Sequence, residues 1–310
     1  MKSHPCCYPL SVVDDRIFSL DYDGPVFIWD IDKTYLATRF SQPKYMARIP
    51  IEFAVDKQAI AGMPEVLRGI RRGTTAAFAC APLYFVSASP PQLRAVITRK
   101  MLLDGVEYDG ITFKDWAKTI MQRRPGRLKE QVGFKICALL EGRRRRPMAS
   151  EYLFGDDVEK DAVAYWLYAK IIKGELSSAK MEEALAAQGV KADDRACIRA
   201  MRDALPPTLG SVRQIFIHLE KKSSPVEFER FGPLLLTTRN AFQLALALAD
   251  RSVVPIDTVR QAALALQAVA PFGNVDFDEL IVDARTRKLV SSIPEEVMAS
   301  FASSSSMDIR

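Results

Sequence analysis

The clearest pattern in the chain is a short apolar run that ends in acidic residues. Residues 26–29 are apolar and rich in β-formers, and Asp30 and Asp32 follow, one residue apart. A continuous apolar run of this length predicts a strand buried on both faces, and its polar end is where open α/β sheets hold their ligands. Residues i and i+2 of an extended segment point the same way, so Asp30 and Asp32 are expected to face one site.

Two later stretches repeat the pattern of an apolar strand that meets polar residues. Residues 83–86 run into Ser87, and residues 151–154 stop at Gly155 and Asp156. Each is followed by a stretch with helical spacing, and alternating strands and helices predict an α/β fold with a doubly wound, mainly parallel sheet. Its three polar strand ends are expected to meet at one edge.

Other elements follow from the same patterns. An irregular stretch at residues 35–61 is expected to form a small flap, whose Lys44, Arg48 and Lys57 either help to select a ligand or are ordinary surface cations. Residues 226–270 carry apolar residues at helical spacing, and the tail from Ser303 is expected to be disordered. Strands are also predicted at residues 111–113 and 212–219, and helices at residues 62–71, 92–103, 133–141, 162–172, 177–188, 193–205, 240–248 and 258–269.

Composition is that of an ordinary soluble globular protein, and the charge pattern adds one feature. The 310 residues are 48% hydrophobic and 26% charged, with a net charge of +5. The arginines at 143–146, with Arg123, Arg124 and Arg127, make residues 121–146 strongly basic. This segment is either a solvated face or a surface for an anionic ligand or membrane. Nucleic acid is not expected as a partner, because the segment lacks interleaved aromatics and a recognisable module.

Cysteine usage and hydropathy bear on the compartment. The five cysteines, which include the adjacent Cys6 and Cys7, match neither a disulfide framework nor a zinc spacing, so free thiols are expected. No apolar run approaches the length of a membrane span, and the N-terminus has no secretory pattern. The expected location is therefore cytoplasmic.

The paired acids after the first strand indicate a kind of chemistry. Two carboxylates this close repel each other unless a cation lies between them or one is protonated, which suggests a magnesium site or an acid/base pair. Either suits phosphoryl transfer, with Asp30 as nucleophile and Asp32 as general acid/base. Ser87 offers a hydroxyl for a phosphate or only a helix cap, while Asp157 and Asp161 offer metal ligands or only favourable charges at a helix start.

The order of these motifs resembles that of the haloacid dehalogenase superfamily of phosphohydrolases. The shared order is Asp-x-Asp-x-Thr after one strand, a serine after a second, a lysine, and Gly-Asp-Asp after a third. The residues within these motifs are most similar to those of one branch, the actin-patch-associated phosphatidate phosphatases and their bacterial relatives. The similarity lies in residues 85–93, 114–116 and 155–161, and it extends over about residues 24–172 and the strand at 212–219.

The resemblance implies a magnesium-dependent phosphatase that hydrolyses a phosphomonoester, phosphatidate or a related ester, through an aspartyl-phosphate. It implies Asp30, Asp32 and Lys135 as catalytic residues, and Thr34, Ser87 and Ala88 as substrate-binding residues. The implied metal ligands are Asp30, Asp32, Asp156, Asp157 and Asp161. The partner would be a phosphorylated small molecule or a phospholipid, which leaves peripheral contact with an anionic membrane open.

The resemblance also divides the chain. Residues 1–222 would form a haloacid dehalogenase-like core with a helical insertion at about 173–210. Residues 223–310 would form a helical C-terminal region with a disordered tail.

Two departures and one alternative stay open. Lys33 stands where that branch usually has Asp, and Asp157 where it has a small residue or serine, so Lys33 is expected to pair with Asp157 or with the substrate. His218 lies inside an apolar strand and is read as a core or edge residue rather than a catalytic one. The alternative function is a catalytically weak or regulatory domain of the same fold that binds a partner through the C-terminal helices; the intact acids after the strands argue against it.

Overall fold

One seven-stranded sheet with helices packed on it accounts for most of the described chain. The structure, a computed structural model, describes residues 8–37, 58–75, 77–123, 125–128, 130–269 and 275–291. The strands are β1 (Leu10–Asp14), β2 (Pro25–Asp30), β3 (Leu83–Ser87), β4 (Gly110–Lys114), β5 (Ser150–Asp156), β6 (Val212–His218) and β7 (Leu235–Thr238). The α-helices are α1 (Met63–Arg72), α2 (Arg94–Leu103), α3 (Trp116–Met121), α4 (Val132–Arg145), α5 (Asp161–Ile172), α6 (Ser178–Ala187), α7 (Ala192–Asp203), α8 (Ala241–Asp250), α9 (Ile256–Val269) and α10 (Phe277–Thr286).

The sheet has the order β1-β4-β3-β2-β5-β6-β7. All neighbouring strands run parallel except β1, which pairs antiparallel with β4. The predicted α/β class and mainly parallel sheet are confirmed. β2 lies in the middle, and the chain places β3 and β4 on one side of it before it places β5 and β6 on the other. Such a reversal of direction leaves a crevice at the carboxyl ends of the central strands.

Helices cover both faces of the sheet, which explains why the central strands are apolar throughout. Phe27 and Trp29 of β2 belong to the core under α1, α2, α8, α9 and α10, called here the first face. Val26 and Ile28 belong to the core under α4, α5, α6 and α7, called the second face. Because alternate residues of a strand point to opposite faces, each of these four side chains is buried.

A row of stacked aromatic rings ties the central strands together on the first face. The rings of Trp29 and Phe154 are 4.3 Å apart between centroids, and those of Phe154 and Phe216 are 5.3 Å apart. Stacked pairs of this kind contribute about 0.5–1.5 kcal/mol beyond the area that they bury. The row fixes β2, β5 and β6 side by side just below the carboxyl edge.

The arginine run is mainly a structural feature of the end of α4. Arg143 is fully buried, lies 2.5 Å from a carboxylate oxygen of Glu151, and donates to Tyr168. Arg146 is also buried, 2.9 Å from Asp14. The expectation of a cationic surface across residues 143–146 is therefore wrong for Arg143 and Arg146, because buried acids neutralise both. Arg144 and Arg145 are partly exposed.

Several predicted elements are confirmed, and a few were not predicted. The helices of the insertion are α6 and α7, and both pack on the second face. Pattern analysis did not give β1, α3, β7 or α10, and its helical reading of residues 226–270 is wrong where β7 pairs with β6. The four residues of β7 are too few to show the alternation of a strand in the sequence, and the strand is recognised by its pairing with β6. Some predictions fall outside the described residues. They concern the flap cations Lys44, Arg48 and Lys57, the cysteines Cys6 and Cys7, Arg124, and the tail from Ser303.

The C-terminal helices share their core with the rest of the sheet. Phe242 of α8 and Phe277 of α10 are buried in the same first-face core as Trp29 and Phe154. Their own rings meet edge to face, with centroids 4.9 Å apart. The division of the chain at residue 222 stays a prediction. Because α8 and α10 share a core with the strands before residue 222, a substitution in that core tests whether the two parts of the chain unfold separately.

We expect Phe242→Ala to lower the free energy of unfolding by about 3–5 kcal/mol, because it removes a fully buried ring from the first-face core. The measurement is denaturant unfolding followed by circular dichroism and by tryptophan fluorescence. Leu264→Ala on α9 is the control, since that side chain is 65% exposed, and it should change the value by less than about 0.5 kcal/mol. Separate transitions by the two probes, or a loss below about 1 kcal/mol, would contradict a shared core.

Candidate active site

The carboxyl ends of three adjacent strands bring the predicted residues to one edge of the sheet. Asp30 ends β2, Ser87 ends β3 and Asp156 ends β5, and β2 lies between the other two strands. All three side chains are fully buried. The convergence expected from the sequence is therefore present.

A tight turn after β2 arranges Asp30, Asp32 and Thr34. The backbone N–H of Leu36 donates to the carbonyl of Ile31, which closes the turn. Thr34 is buried, and its Oγ1 lies 3.5 Å from Asp30 Oδ2. Lys33 adopts φ 64° within this turn, which costs a residue with a Cβ about 1–2 kcal/mol. The chain accepts this strain at the point where it places the acids.

The serine loop after β3 holds Asp32. Ser87 Oγ and Ser89 Oγ both donate to Asp32 Oδ2, at 3.0 and 2.8 Å. Trp116 Nε1 donates to the carbonyl of Ala88 at 2.9 Å, which fixes the loop from the start of α3. Ser89 and Trp116 were not among the predicted site residues, although both lie in the segments that carry the resemblance.

Lys135 supplies a buried positive charge. It lies in the first turns of α4, and its Nζ is 2.9 Å from Asp30 Oδ1 and hydrogen-bonds Asp161. All three side chains are fully buried. Glu130 fixes the start of α4, because its Oε1 accepts from the N–H of Gly133 at 2.8 Å. The helix therefore delivers the ammonium group between the ends of β2 and β5.

The loop after β5 adds an acid that sequence reasoning did not select. Asp156 Oδ1 accepts from the N–H groups of Val158 and Glu159, at 2.5 and 2.9 Å, and so turns the chain back. Oxygens of Asp30, Asp156 and Glu159 all lie within 4.8 Å of one another. The other oxygen of Asp156 is buried with no hydrogen-bond partner among the described residues. The turn explains how an acid three residues beyond Asp156 returns to the site.

Asp157 and Asp161 are not members of this group of three acids. Asp157 accepts from the N–H groups of Lys221 and Ser223, at 2.9 and 3.2 Å, and so holds the loop after β6. Asp161 pairs with Lys135 and accepts from the N–H of Asp156. Among the described residues, the acidic cluster within 4.8 Å contains neither of them, nor Asp32.

Gly155 makes room for Asp161. A Cβ at position 155 would overlap the carboxylate of Asp161. The sequence-based expectation was that this glycine permits a sharp turn, but Gly155 lies within β5 and Asp156 makes the turn. The glycine thus serves close packing of the ion pair between Asp161 and Lys135.

Burial shifts the protonation equilibria of the cluster. It raises the pKa of Asp30 well above its usual range, although Lys135 opposes this shift. Burial, then the charge of Asp161, raises the pKa of Asp156 to about 8. Burial also raises the pKa of Asp161 to about 6. For Lys135, burial alone lowers the pKa, but Asp161 and Asp30 raise it well above its usual range, so this lysine stays charged.

The cluster carries more negative than positive charge. Lys33 Nζ lies 3.4 Å from Glu159, so Lys33 pairs with that acid rather than with Asp157. Lys135 lies 3.7 Å from the other oxygen of Glu159. Four carboxylates therefore surround two ammonium groups. Such an excess in a buried place requires protons or a cation, and carboxylate oxygens are the ligands that hard divalent cations take.

His218 borders the site without joining the cluster. It ends β6 in register with Asp156 and is buried, and its Nε2 lies 3.4 Å from Glu220. It is thus a buried residue at the carboxyl end of an interior strand, which agrees with the sequence interpretation of a core or edge residue. In the described part of the chain, every helix is too short or too polar to cross a membrane.

Comparison with known proteins gives one match. Neither a curated protein nor a solved structure matches the chain. A family model described as phosphatidate phosphatase APP1, catalytic domain, matches residues 26–177. This segment contains every predicted site residue, from Asp30 to Asp161. Over it the chain is similar to that catalytic domain, in agreement with the resemblance found in the sequence.

Proposed function

We propose that this chain is a magnesium-dependent phosphatase of the haloacid dehalogenase type, which hydrolyses a phosphomonoester through an aspartyl-phosphate on Asp30. The observation that carries the proposal is the position of Asp30, whose carboxylate lies 2.9 Å from Lys135 and within 4.8 Å of Asp156 and Glu159. Enzymes accelerate phosphoryl transfer mainly by positioning the reacting groups and by placing positive charge around the transferred group. The family match supports a phosphatase.

In the proposed first step, a carboxylate oxygen of Asp30 attacks phosphorus and the ester oxygen leaves with its electron pair. Asp32 donates a proton to that oxygen, so an alcohol is released. In the second step water attacks the phosphorus of the acyl phosphate, and Asp32 takes a proton from the water. The bond between phosphorus and the Asp30 oxygen breaks, so inorganic phosphate is released and Asp30 regains its carboxylate. The two serine hydroxyls that bind Asp32 would hold its carboxyl group in one orientation throughout.

The remaining predicted residues would bind the phosphate. Lys135 is charged and would neutralise an equatorial oxygen, while Thr34 and Ser87 offer hydroxyls beside Asp30 and Asp32. The backbone of Ala88 lies in the loop that Trp116 fixes. These are positioning roles, which is what loose phosphoryl transition states require.

The donors fit a magnesium ion. Asp30, Asp156 and Glu159 offer only hard oxygens, and the buried oxygen of Asp156 has no hydrogen-bond partner among the described residues. We propose these three acids as ligands, with Glu159 in place of Asp157 or Asp161. The sequence also suggested Asp32 as a metal ligand, but its carboxylate accepts hydrogen bonds from Ser87 and Ser89. When bound, the ion would offset the charge of the phosphate and of the acids around it.

The proposed substrate is phosphatidate or a related phosphate ester. The family description names phosphatidate, and a phospholipid would bring the protein to a membrane surface. Arg144 and Arg145 are the members of the arginine run that remain partly exposed for such contact. Catalysis on a soluble ester would need neither of them.

The regulatory alternative finds less support. It requires free apolar faces on the C-terminal helices. α8 offers none, because most of its residues are buried against the sheet and its neighbours, while α9 and α10 expose only scattered apolar side chains, namely Leu264, Val269 and Val282 among the described residues. The acids and the lysine that the proposed mechanism uses lie together at the carboxyl edge of the sheet.

We expect Asp30→Asn to abolish phosphate release from phosphatidate in mixed micelles and from a soluble phosphomonoester, because an amide cannot form the acyl phosphate. The loss should exceed about 10³-fold in kcat. Asp203→Asn, on the exposed side of α7, is the charge-matched control. Undiminished turnover by a folded Asp30→Asn protein would refute the mechanism, and activity on the soluble ester alone would remove phosphatidate as substrate.

A comparison of Glu159→Gln with Asp157→Asn identifies the third metal ligand. We expect Glu159→Gln to raise the magnesium concentration for half-maximal activity by about tenfold or more, because it removes one of three charged ligands. It should also reduce the rise in melting temperature that magnesium gives without substrate. The effect of Asp157→Asn should be clearly smaller on both measures. The reverse order would assign the ligand to Asp157.

We expect Ser89→Ala to lower kcat about tenfold with little change in KM, because Asp32 loses one of the two hydrogen bonds that orient it. Ser89→Thr retains a hydroxyl and should recover most of the rate. A change confined to KM, or equal losses in both variants, would show that Ser89 does not position Asp32.

A further inference from the structure

A groove lies at the edge of the sheet opposite the candidate active site. Its volume is about 720 Å³, within the range of roughly 300–1,000 Å³ typical of ligand pockets. The second half of α5, the segment before β6 and the turn before β7 line it. The groove-lining residues of α5 run from Trp166 to Ile172. At a rise of about 1.5 Å per residue they lie roughly 8–17 Å along the helix from Asp161. It is therefore not part of the active site.

The interior of the groove is apolar and held in place. Ile172, Leu209, Phe231 and Leu234 line it together with Trp166. Trp166 Nε1 donates to the carbonyl of Phe231 at 3.1 Å, and the two rings meet edge to face with centroids 5.9 Å apart. The wall is thus preformed, and its indole donor is already engaged.

The rim of the groove is cationic. Lys170, Lys173 and Arg230 line it, and Glu175 is the one acid among the lining residues. Glu175 pairs with both lysines, and the carboxyl end of α5 adds about half a negative charge, which still leaves an excess of positive charge. Lys173 and Arg230 are exposed. An anion at the rim would meet cations that are only partly neutralised.

We propose that the groove binds a single-chain anionic amphiphile of the fatty-acid type, a site separate from the catalytic one. Its acyl chain lies along Trp166, Leu209 and Leu234, and its carboxylate meets Lys173 and Arg230. A nucleotide or a polar peptide fits less well, because specific polar ligands need donors and acceptors inside the pocket and the polar side chains here lie at the rim. Apolar burial supplies the affinity and the rim supplies the preference for an anion.

Trp166 makes the proposal directly measurable. The chain has three tryptophans, and Trp166 is the one that lines the groove. The probe is 12-bromododecanoate below its micelle concentration, because its bromine quenches the fluorescence of an indole that it touches. We expect saturable quenching of the wild-type protein, loss of that component in Trp166→Phe, and reversal by unbrominated dodecanoate. Asp30→Asn should quench like the wild type, so the result does not depend on the proposed phosphatase activity.

Charge variants test the anionic part. Lys173→Glu/Arg230→Glu should weaken dodecanoate binding about tenfold, because two attractions at the rim become repulsions. Arg99→Glu/Arg260→Glu, with the same change of charge on exposed residues of α2 and α9, should bind like the wild type. Dodecanol should compete weakly and inorganic phosphate should not compete. Absence of saturable quenching, quenching that persists in Trp166→Phe, or equal affinity in both double variants would overturn the proposal.

Discussion

The ion pairs of one buried lysine hold the acidic site together. Lys135 contacts Asp30, Asp161 and Glu159 at the point where the central strand ends. Carboxylates gathered this closely and removed from water repel one another, and losing one partner of a buried pair typically costs about 3–5 kcal/mol. Burial first, and then repulsion from neighbouring acids, raises the pKa values of Asp156 and Asp161, and the charge of Lys135 only partly opposes these shifts. A proton or a divalent cation completes the balance, which makes the site responsive to both.

The fold supplies this arrangement through a few supporting contacts. The stacked rings of Trp29, Phe154 and Phe216 fix the strands below the edge, so the loops above them start from fixed positions. Gly155 lets Asp161 approach the sheet, and Trp116 holds the serine loop over Asp32 by way of Ala88. The chemistry at the edge therefore depends on close packing one layer below and beside it.

Local pattern was enough for five of the seven strands, β2 to β6, and for the residues that end the central ones. Residues 26–29 are apolar because both faces are buried, and that signal lies within the run itself. Glu159 was missed because a turn held by the Asp156 side chain, not a sequence period, returns it to the site. Arg143 was misread because its neutralising partner Glu151 lies on a strand, where spacing along the sequence shows no pairing. β1 and β7 depend on pairing with distant strands, which a short window does not show.

The claim that Asp30 accepts the phosphoryl group can be tested by acid-quenching the wild-type enzyme during turnover of substrate labelled in its phosphate. The account predicts label on the protein that survives acid, is released by hydroxylamine, and maps to the peptide containing Asp30. Label on another residue would contradict the account. So would rapid turnover with no labelled protein detected at any quench time.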